Sequence, residues 1–417
     1  MKLLLKSATI IDKQSIYNNK TLDVLIENGI IKEIAKDIST AADKVIQEEN
    51  LHISRGWFDS SVSFGEPGFE ERETIANGLD TAARSGFTSI ALNPNTYPII
   101  DNNGAITSVK SKAAHHPIKL FPIGALTVKG EGVDLAELYD MKQGGAVAFG
   151  DYKRAIKNPN LLKIALQYAQ NFDALVQSFP QEDRIAGKGM VNEEQSSTSL
   201  GLKGIPNLAE ELQIARDLYL LEYTGGKLHI PTISTKKSVA LIKEAKKKGL
   251  NVSCSVSAHH LRLTDNELDT FDSNLKVTPP LRTKNDTKAL IKGLKDGIID
   301  VITSDHDPVD IENKKLEFSR AKYGTIGLES LFGAVNSVLD LETIIKALTI
   351  NPRIIFNQES ATIKKDAIAN LTLFNPKGDS IFLKDTILST SKNSAFIGKK
   401  MKGNVYGVFA NNKLVLN

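Results

Sequence analysis

The sequence alternates short apolar runs with segments of helical periodicity, and this alternation restricts the fold more than any other feature. Eight apolar runs follow residue 51: WFDSSVSF, FTSIALNPN, IKLFPIGAL, GAVAFGD, ALVQSF, KLHIPTIST, NVSCSVSAHH and IDVITSDHD. Several intervening segments have helical periodicity and end at glycine, most clearly TIANGLDTAARSG, NLAEELQIARDLYLLEYTGG and TKKSVALIKEAKKKG. Eight strand–helix units predict an α/β fold, a (β/α)8 TIM barrel, over residues 51–358.

Both ends of the chain read as short strands instead. Alternating apolar and polar residues occupy the first and last fifty residues, as in TLDVLIENGIIKEIA and GNVYGVFANNKLVLN, and Glu27-Asn28-Gly29 is a hairpin signal. Residues 1–50 and 359–417 are therefore predicted to form one small β-sandwich domain together. The polar stretch from Gln181 to Gly204 is expected to be a long loop after the fifth barrel strand.

Composition excludes several classes of function. Hydrophobic residues make up 41% and charged residues 24% of the 417, as in ordinary soluble proteins, and no apolar run is long enough to cross a bilayer. The net charge of +3 indicates neither a nucleic-acid nor a membrane partner. A single cysteine, Cys254, excludes an intramolecular disulfide framework. We expect a cytoplasmic protein.

The carboxyl ends of the strands carry the active site in a barrel of this kind. Longer blocks that include these ends resemble the dihydroorotase family of the amidohydrolase superfamily, in order and spacing. The blocks that carry the resemblance are GEPGFEERETIANGLDTAARSGFTSIALNPNTYPIIDN, GAVAFGD, SAHHLRLTDNEL, KVTPPLRTKNDTKALIKGLKDGIIDVITSDHDP and GTIGLES. The resemblance implies a metal-dependent hydrolase barrel with a β-sandwich from both termini, and it implies a homodimer.

The chemistry that the resemblance implies is the reversible closure of N-carbamoyl-aspartate to dihydroorotate in pyrimidine biosynthesis. Such a hydrolysis needs a metal-activated water, a Lewis acid on the amide carbonyl and a carboxylate to move the proton. Zinc supplies the first two when histidine nitrogens and carboxylate oxygens hold it. Carried onto this chain, the family's six metal-ligand positions fall on Ser61, Ser63, Asp151, Ser178, Thr232 and Asp305.

Four of these positions lack the histidine that the family places there. A serine or threonine hydroxyl is a poor zinc ligand beside an imidazole, so we expect no typical catalytic zinc site and no other cofactor. Asp151 and Asp305 remain, but two carboxylates alone would hold a hard cation only weakly. The seven histidines offer no substitute set, and His229 is predicted to lie too early on its strand to reach the barrel mouth.

The positions that bind substrate in the family are also changed. The arginine position is Gly65, the asparagine of the PPLR block is Thr278 and the histidine after strand 8 is Val309, while Asn95 is retained. Asp305 stands at the general-base position, and we expect it to be vestigial, bonding backbone or His306.

Three other carboxylates favour a structural interpretation. Asp151 is expected to pair with Lys153 or Arg154. Glu66 and Glu73 lie at a turn and helix start and are expected to support them.

Three hypotheses follow from these residues. The first is a catalytically inactive dihydroorotase-family protein, a pseudoenzyme that serves as a structural or assembly partner of aspartate transcarbamoylase. The second is an active dihydroorotase, a cyclic amide hydrolase with an altered metal site, and metal-free acid–base catalysis belongs to this class. The third is a sensor whose emptied site binds a different small molecule.

Overall fold

Eight parallel strands form the barrel at the centre of the computed structural model, which describes all 417 residues. All eight apolar runs of the sequence form strands, and neighbours in the sheet follow chain order. Numbered along the whole chain, the barrel strands are β6 (Trp57–Val62), β7 (Phe87–Leu92), β8 (Lys119–Gly124), β9 (Ala148–Phe149), β10 (Leu175–Gln177), β13 (Lys227–Ile230), β14 (Val252–Ser257) and β15 (Val301–Thr303). The predicted barrel is confirmed, and the backbone of Ser63 closes it by donating to the His306 carbonyl at 2.7 Å.

Helices separate the barrel strands and cover the outside. In chain order they are α1 (Ile75–Arg84), α2 (Asn103–Ala113), α3 (Leu138–Gly144), α4 (Pro159–Ala169), α5 (Asp183–Ala186), α6 (Gln195–Leu200), α7 (Asn207–Thr224), α8 (Lys236–Lys247), α9 (Ala258–Arg262), α10 (Lys284–Lys295), α11 (Ile311–Lys314), α12 (Leu331–Val335), α13 (Leu341–Leu348) and α14 (Ile350–Ile355). None of them is long and apolar enough to span a membrane.

The helices begin and end where the sequence signals them. Thr74 and Thr235 cap α1 and α8, each accepting a hydrogen bond from the backbone three residues on. Gly225 ends α7 with a φ of 70°, a conformation that costs glycine little because it lacks a Cβ. A core of 58 buried residues joins the helices to the strands.

The remaining strands belong mainly to the predicted domain built from both termini, which is confirmed as one eight-stranded sheet. Its strands are β1 (Lys2–Ile11), β2 (Thr21–Glu27), β3 (Ile30–Ala35), β4 (Lys44–Ile46), β5 (His52–Arg55), β16 (Leu371–Ile381), β17 (Lys400–Ala410) and β18 (Lys413–Leu416). The hairpin predicted at Asn28-Gly29 joins β2 to β3, with both residues at positive φ. His52 lies in this sheet rather than in the first barrel strand, because β5 pairs with β1 and β16.

The stretch from Gln181 to Gly204 is not the irregular loop that its polarity predicted. It contains α5, α6 and strand β11 (Val191–Asn192), which pairs with β12 (Gly204–Ile205). Asn192 is fully buried, donates to Asp265 at 2.8 Å and accepts from Arg282 at 2.9 Å. The polar residues of this segment therefore order it, because they are bonded to buried charges from other loops.

A segment of the C-terminal half, residues 387–394, crosses the barrel mouth. Glu73 accepts a bond from the backbone of Thr390 at 3.0 Å, and Glu329 accepts bonds from the backbones of Leu388 and Ser389. Asn393 accepts a bond from the backbone of Val309 at 3.1 Å. The structural interpretation of Glu73 is confirmed by these contacts.

Candidate active site at the barrel mouth

A very small cavity lies at the carboxyl ends of the barrel strands. Its volume is about 10 Å³, which is room for about one water molecule. Its walls are polar and buried, and they come from seven of the eight strand ends. The lining residues are Ser60, Ser61, Asn93, Tyr152, Lys153, Gln177, Phe179, His229, Pro231, Thr232, Ser255 and Asp305. Three predicted ligand positions, Ser61, Thr232 and Asp305, thus meet at one place.

The two serines of strand β6 bond to asparagines of the β7 loop. Asn93 donates to Ser61 Oγ at 3.1 Å and lies 3.4 Å from Ser63 Oγ, and Ser63 donates to Asn95 Oδ1 at 3.0 Å. Asn95, retained from the family's substrate positions, is therefore engaged by a serine. The sequence predicted no role for Asn93, although Asn93 lies in the quoted run FTSIALNPN.

Asp151 is used to hold a neighbouring loop. Its carboxylate accepts bonds from the backbones of Leu126 and Thr127 at 2.9 and 3.0 Å, and from the Thr127 hydroxyl at 2.6 Å. Burial raises the pKa of Asp151, and these bonds oppose that effect. The predicted ion pair with Lys153 or Arg154 does not form, since Arg154 donates to the Gly130 carbonyl instead.

The positions after strands β10 and β13 offer no ligand atom of the right kind. The Ser178 hydroxyl donates to Asp217 of α7 at 2.6 Å, and its neighbour Phe179 faces the cavity in its place. Alternation of side chains along a strand explains why adjacent residues face opposite ways. Thr232 lines the cavity, with its backbone N–H donated to Ser255 Oγ at 3.1 Å.

Asp305 meets a lysine that the sequence did not connect with it. Lys153 Nζ lies 3.1 Å from Asp305 Oδ2 and 3.0 Å from Asp307 Oδ2. The contact with Asp307 is a hydrogen bond, whereas the Asp305 contact is an ion pair whose angles leave both carboxylate oxygens without a hydrogen-bond donor. The expectation that Asp305 bonds backbone or His306 through its carboxylate is therefore wrong.

Burial and charge work against each other in this cluster. Burial raises the pKa of Asp305 to about 6, and the nearby Lys153 limits the rise. Burial alone would lower the pKa of Lys153, but the carboxylates of Asp305 and Asp307 outweigh it and hold that pKa well above its usual value. The pair thus carries an ammonium ion under all ordinary conditions.

Three residues around the cavity have left-handed backbones. Tyr152, Thr232 and Asp305 have φ values of 56°, 48° and 48°. This conformation is unfavourable for side chains with a Cβ, most of all for a β-branched residue such as threonine. Such residues cluster at functional sites, so the backbone keeps the shape of an active site.

The histidines near the mouth are engaged elsewhere or buried without charge. The prediction for His229 is wrong, because its ring lines the cavity, with Nδ1 2.9 Å from Ser253 Oγ. Burial lowers the pKa of His229 to about 3, so the ring is neutral. His260 bonds to Ser257 Oγ and to the carbonyl of Pro279. The ring of His259 lies 4.6 Å from that of His260, tilted by 44°, with both nitrogens unpaired. His306 Nδ1 accepts from Gly327.

The residues at the mouth do not fit the zinc ion that the family resemblance implies. The chain contains no group of three or more His, Cys, Asp or Glu side chains placed to hold a metal. The atoms that face the cavity at the ligand positions are hydroxyls and one carboxylate, and zinc binds poorly to neutral hydroxyls. The one carboxylate is already next to an ammonium ion.

The substrate positions are also blocked or occupied. A Cβ placed on Gly65 would lie 1.7 Å from the Phe69 carbonyl oxygen, so an arginine there would require the loop to move. Val309 is buried at 4% exposure, with its backbone held by Asn393. Thr278 is partly buried and makes no side-chain hydrogen bond.

Comparison with known proteins identifies the origin of this frame. A family model described as dihydro-orotase-like matches residues 52–238. The dihydroorotase of Geotalea daltonii is 38% identical over 100% of this chain and 99% of its own length, and that of Thermoanaerobacter sp. is 38% identical over 97% and 94%. The chain belongs to the dihydroorotase family.

Solved structures agree on the fold. The L-hydantoinase (dihydropyrimidinase) of Arthrobacter aurescens superposes with a TM-score of 0.85 at 20% identity, covering 100% of this chain and 96% of its own. The dihydropyrimidinase of Brevibacillus agri superposes with the same TM-score at 21% identity, covering 100% and 95%. This member of the dihydroorotase family thus shares its overall fold with these proteins.

Proposed function

We propose that this dihydroorotase-family protein of pyrimidine biosynthesis is catalytically inactive and serves as a structural or assembly partner of aspartate transcarbamoylase. One observation carries the proposal of inactivity: a lysine and hydroxyl groups surround a cavity of about 10 Å³ where the family's metal ligands are expected. Ligand pockets in proteins usually enclose about 300–1,000 Å³. A ring the size of dihydroorotate has no room in this cavity.

The intact frame supports a role that depends on shape. The barrel, the capped helices and the terminal sheet are all present, and Thr232 and Asp305 have positive φ values at the barrel mouth. A protein that needed only to persist as a fold has no reason to keep a metal site. We place this assembly role in the cytoplasm and expect the chain to form a homodimer, without a resident metal.

An active dihydroorotase with an altered site is the second candidate. The observation that favours it is Asp305, which keeps the general-base position, has two carboxylate oxygens without a hydrogen-bond donor and a pKa raised by burial to about 6. A base with such a pKa suits proton transfer near neutral pH. It would still have to work without a Lewis acid on the amide carbonyl.

Turnover separates the two candidates. The purified chain is assayed in both directions, with dihydroorotate and with N-carbamoyl-aspartate, before and after addition of zinc, manganese or cobalt. The Geotalea daltonii dihydroorotase, prepared in parallel, is the positive control. We expect no turnover and less than a tenth of an equivalent of metal; turnover that disappears in Asp305→Asn would establish the active enzyme instead.

The partner role requires its own measurement. Aspartate transcarbamoylase from the same source is expected to co-elute with this chain in size-exclusion chromatography with light scattering, at a fixed stoichiometry. The Geotalea daltonii dihydroorotase is the matched control for nonspecific binding that members of the family share. Absence of any complex at micromolar concentration would remove the assembly role and leave inactivity standing. The same experiment gives the mass of the free chain, for which we expect a dimer.

A further inference from the structure

The position of Lys153 in the cavity wall is the starting point. Its ammonium group faces the same cavity as Ser61, Thr232 and Asp305, which are three of the six family ligand positions. Its side chain is 12% exposed, and Nζ lies 3.1 Å from Asp305 and 3.0 Å from Asp307. A positive charge therefore stands where the family's resident cation is expected, and it is supplied by the chain.

We propose that the Lys153 ammonium is an internal cation, which takes the place of a metal ion against Asp305 and Asp307 and holds the barrel mouth closed. This inference deepens the proposed inactivity, since it describes the same site. It also assigns Lys153 a role as the counter-charge to the two carboxylates beside it. The carboxylates of Asp305, which is buried, and of Asp307, which is partly buried, both lie close to Lys153 Nζ. They repel each other and are costly without a counter-charge, and no other lysine or arginine makes an ion pair with either of them.

The lysine is held in place as well as charged. Its ammonium lies 4.9 Å from the centre of the Tyr152 ring, a distance at which the ring face attracts a cation. Tyr152 is itself in the left-handed conformation, which directs this turn into the mouth. Because Lys153 links the loop after β9 to the loop after β15, its removal would free both loops from each other.

A metal ion and this ammonium exclude each other. A divalent cation on Asp305 would need carboxylate oxygens at about 2.0–2.6 Å and would therefore sit beside the lysine nitrogen. Two adjacent positive charges in a buried site repel strongly. Removing the lysine should therefore have two consequences: loss of stability without metal, and recovery of stability with a hard divalent cation.

The experiment measures thermal unfolding midpoints for Lys153→Ala and for Lys157→Ala, a control in the same loop whose side chain is 73% exposed. We expect Lys153→Ala to lower the midpoint by at least about 5 °C, and Lys157→Ala to change it by less than about 1 °C. Adding 5 mM MnCl₂ should raise the midpoint of Lys153→Ala and leave the parent chain and the Lys157→Ala control unchanged.

A second variant keeps the inference testable if Lys153→Ala does not fold. Lys153→Ala/Asp305→Asn removes the lysine and one of its carboxylates, and it should recover at least half of the lost midpoint, or soluble protein where the single variant gives none. The inference is overturned if Lys153→Ala is as stable as the parent or if manganese stabilises the parent. It is also overturned if adding Asp305→Asn to Lys153→Ala recovers neither the unfolding midpoint nor soluble protein. Turnover does not enter these readouts, so this inference and the proposed inactivity can fail separately.

Discussion

Arg282 and Lys153 are both cations among the loops at the carboxyl ends of the barrel strands, and their surroundings differ. Arg282 is 2% exposed and donates to Ser234 Oγ, to Asn192 Oδ1 and to the Ile205 carbonyl, with Glu210 at 3.9 Å. Lys153 has only two carboxylates, one of which accepts no hydrogen bond. The guanidinium makes three hydrogen bonds, all to uncharged groups, whereas the ammonium makes one, to the Asp307 carboxylate.

The difference indicates that Arg282 stabilises the fold, whereas Lys153 belongs to the candidate site. Arg282 ties the 181–204 segment to the β13 loop, because it donates to Asn192 and to Ser234, and it lies 3.9 Å from Glu210 of α7. Around Lys153, by contrast, Tyr152 Oη and both oxygens of Asp305 are buried without a hydrogen bond. Buried unpaired polar atoms are rare in frames built only for stability. The mouth around Lys153 is thus less completely hydrogen-bonded than the surroundings of Arg282.

The largest loss of stability is expected when Arg282 is replaced. Arg282→Met leaves Asn192 Oδ1 and the Ile205 carbonyl without this donor and removes the positive charge 3.9 Å from the buried Glu210, which should cost about 3–5 kcal/mol of unfolding free energy. Urea denaturation measures the loss, and limited proteolysis should begin within residues 181–204. Arg320→Met is the matched control because its side chain is 77% exposed. A loss below about 1 kcal/mol would contradict the scaffold role of Arg282.

A smaller loss is expected from restoring the family's arginine. Gly65→Arg drives a side chain into the Phe69 carbonyl, and overpacking of this kind costs about 1–3 kcal/mol. Urea denaturation measures it, with Ser108→Arg on the exposed face of α2 as the control for the same new side chain. Calorimetry should detect no dihydroorotate binding to either variant. Tight binding by Gly65→Arg would mean that the loop moves readily and that the substrate site is only latent.

The pH dependence of stability sharpens the comparison next, because His260 is influenced by both cations. Burial lowers its folded pKa to about 4, below the unfolded value of 6.5, so on acidification the unfolded chain binds the proton first. Stability from this residue is complete above pH 6.5 and is lost as the pH falls towards 4. His260→Gln should reduce the slope of the unfolding free energy against pH by about 1.4 kcal/mol per pH unit in that window. His115→Gln, at an exposed histidine, is the control. An unchanged slope would contradict a neutral buried ring.

The smallest change is expected from restoring two of the family's imidazoles. Ser61→His/Ser63→His should bring neither an equivalent of zinc nor turnover of dihydroorotate. Lys153 still lies beside Asp305 in this variant, and neither Thr232 nor Phe179 supplies a zinc ligand. Metal analysis and the turnover assay check this, and Lys153→Ala in the same background shows whether the ammonium is the obstacle. Stoichiometric zinc in the two-histidine variant alone would show that the serines were the whole defect.

Some of these features could be read from the sequence because they depend on neighbours along the chain. Strands, capped helices and the Asn28-Gly29 hairpin follow from local periodicity and turn chemistry. Three of the positions for which the resemblance implies metal ligands, Ser61, Thr232 and Asp305, lie around one cavity. The order of the 181–204 segment was missed because its polarity is satisfied by Arg282 and Asp265, which lie far along the chain.

The sequence by itself determined the barrel and the sheet from both termini, because periodicity is a local property. It also showed serine or threonine at four positions where the family resemblance implies histidine. The tertiary structure decided what those positions do instead. Lys153 meets Asp307 across 154 residues, Ser178 turns to Asp217, and His229 reaches the cavity. Such contacts depend on strand register and on the angle at which each loop leaves the barrel, and neither is encoded at any single position.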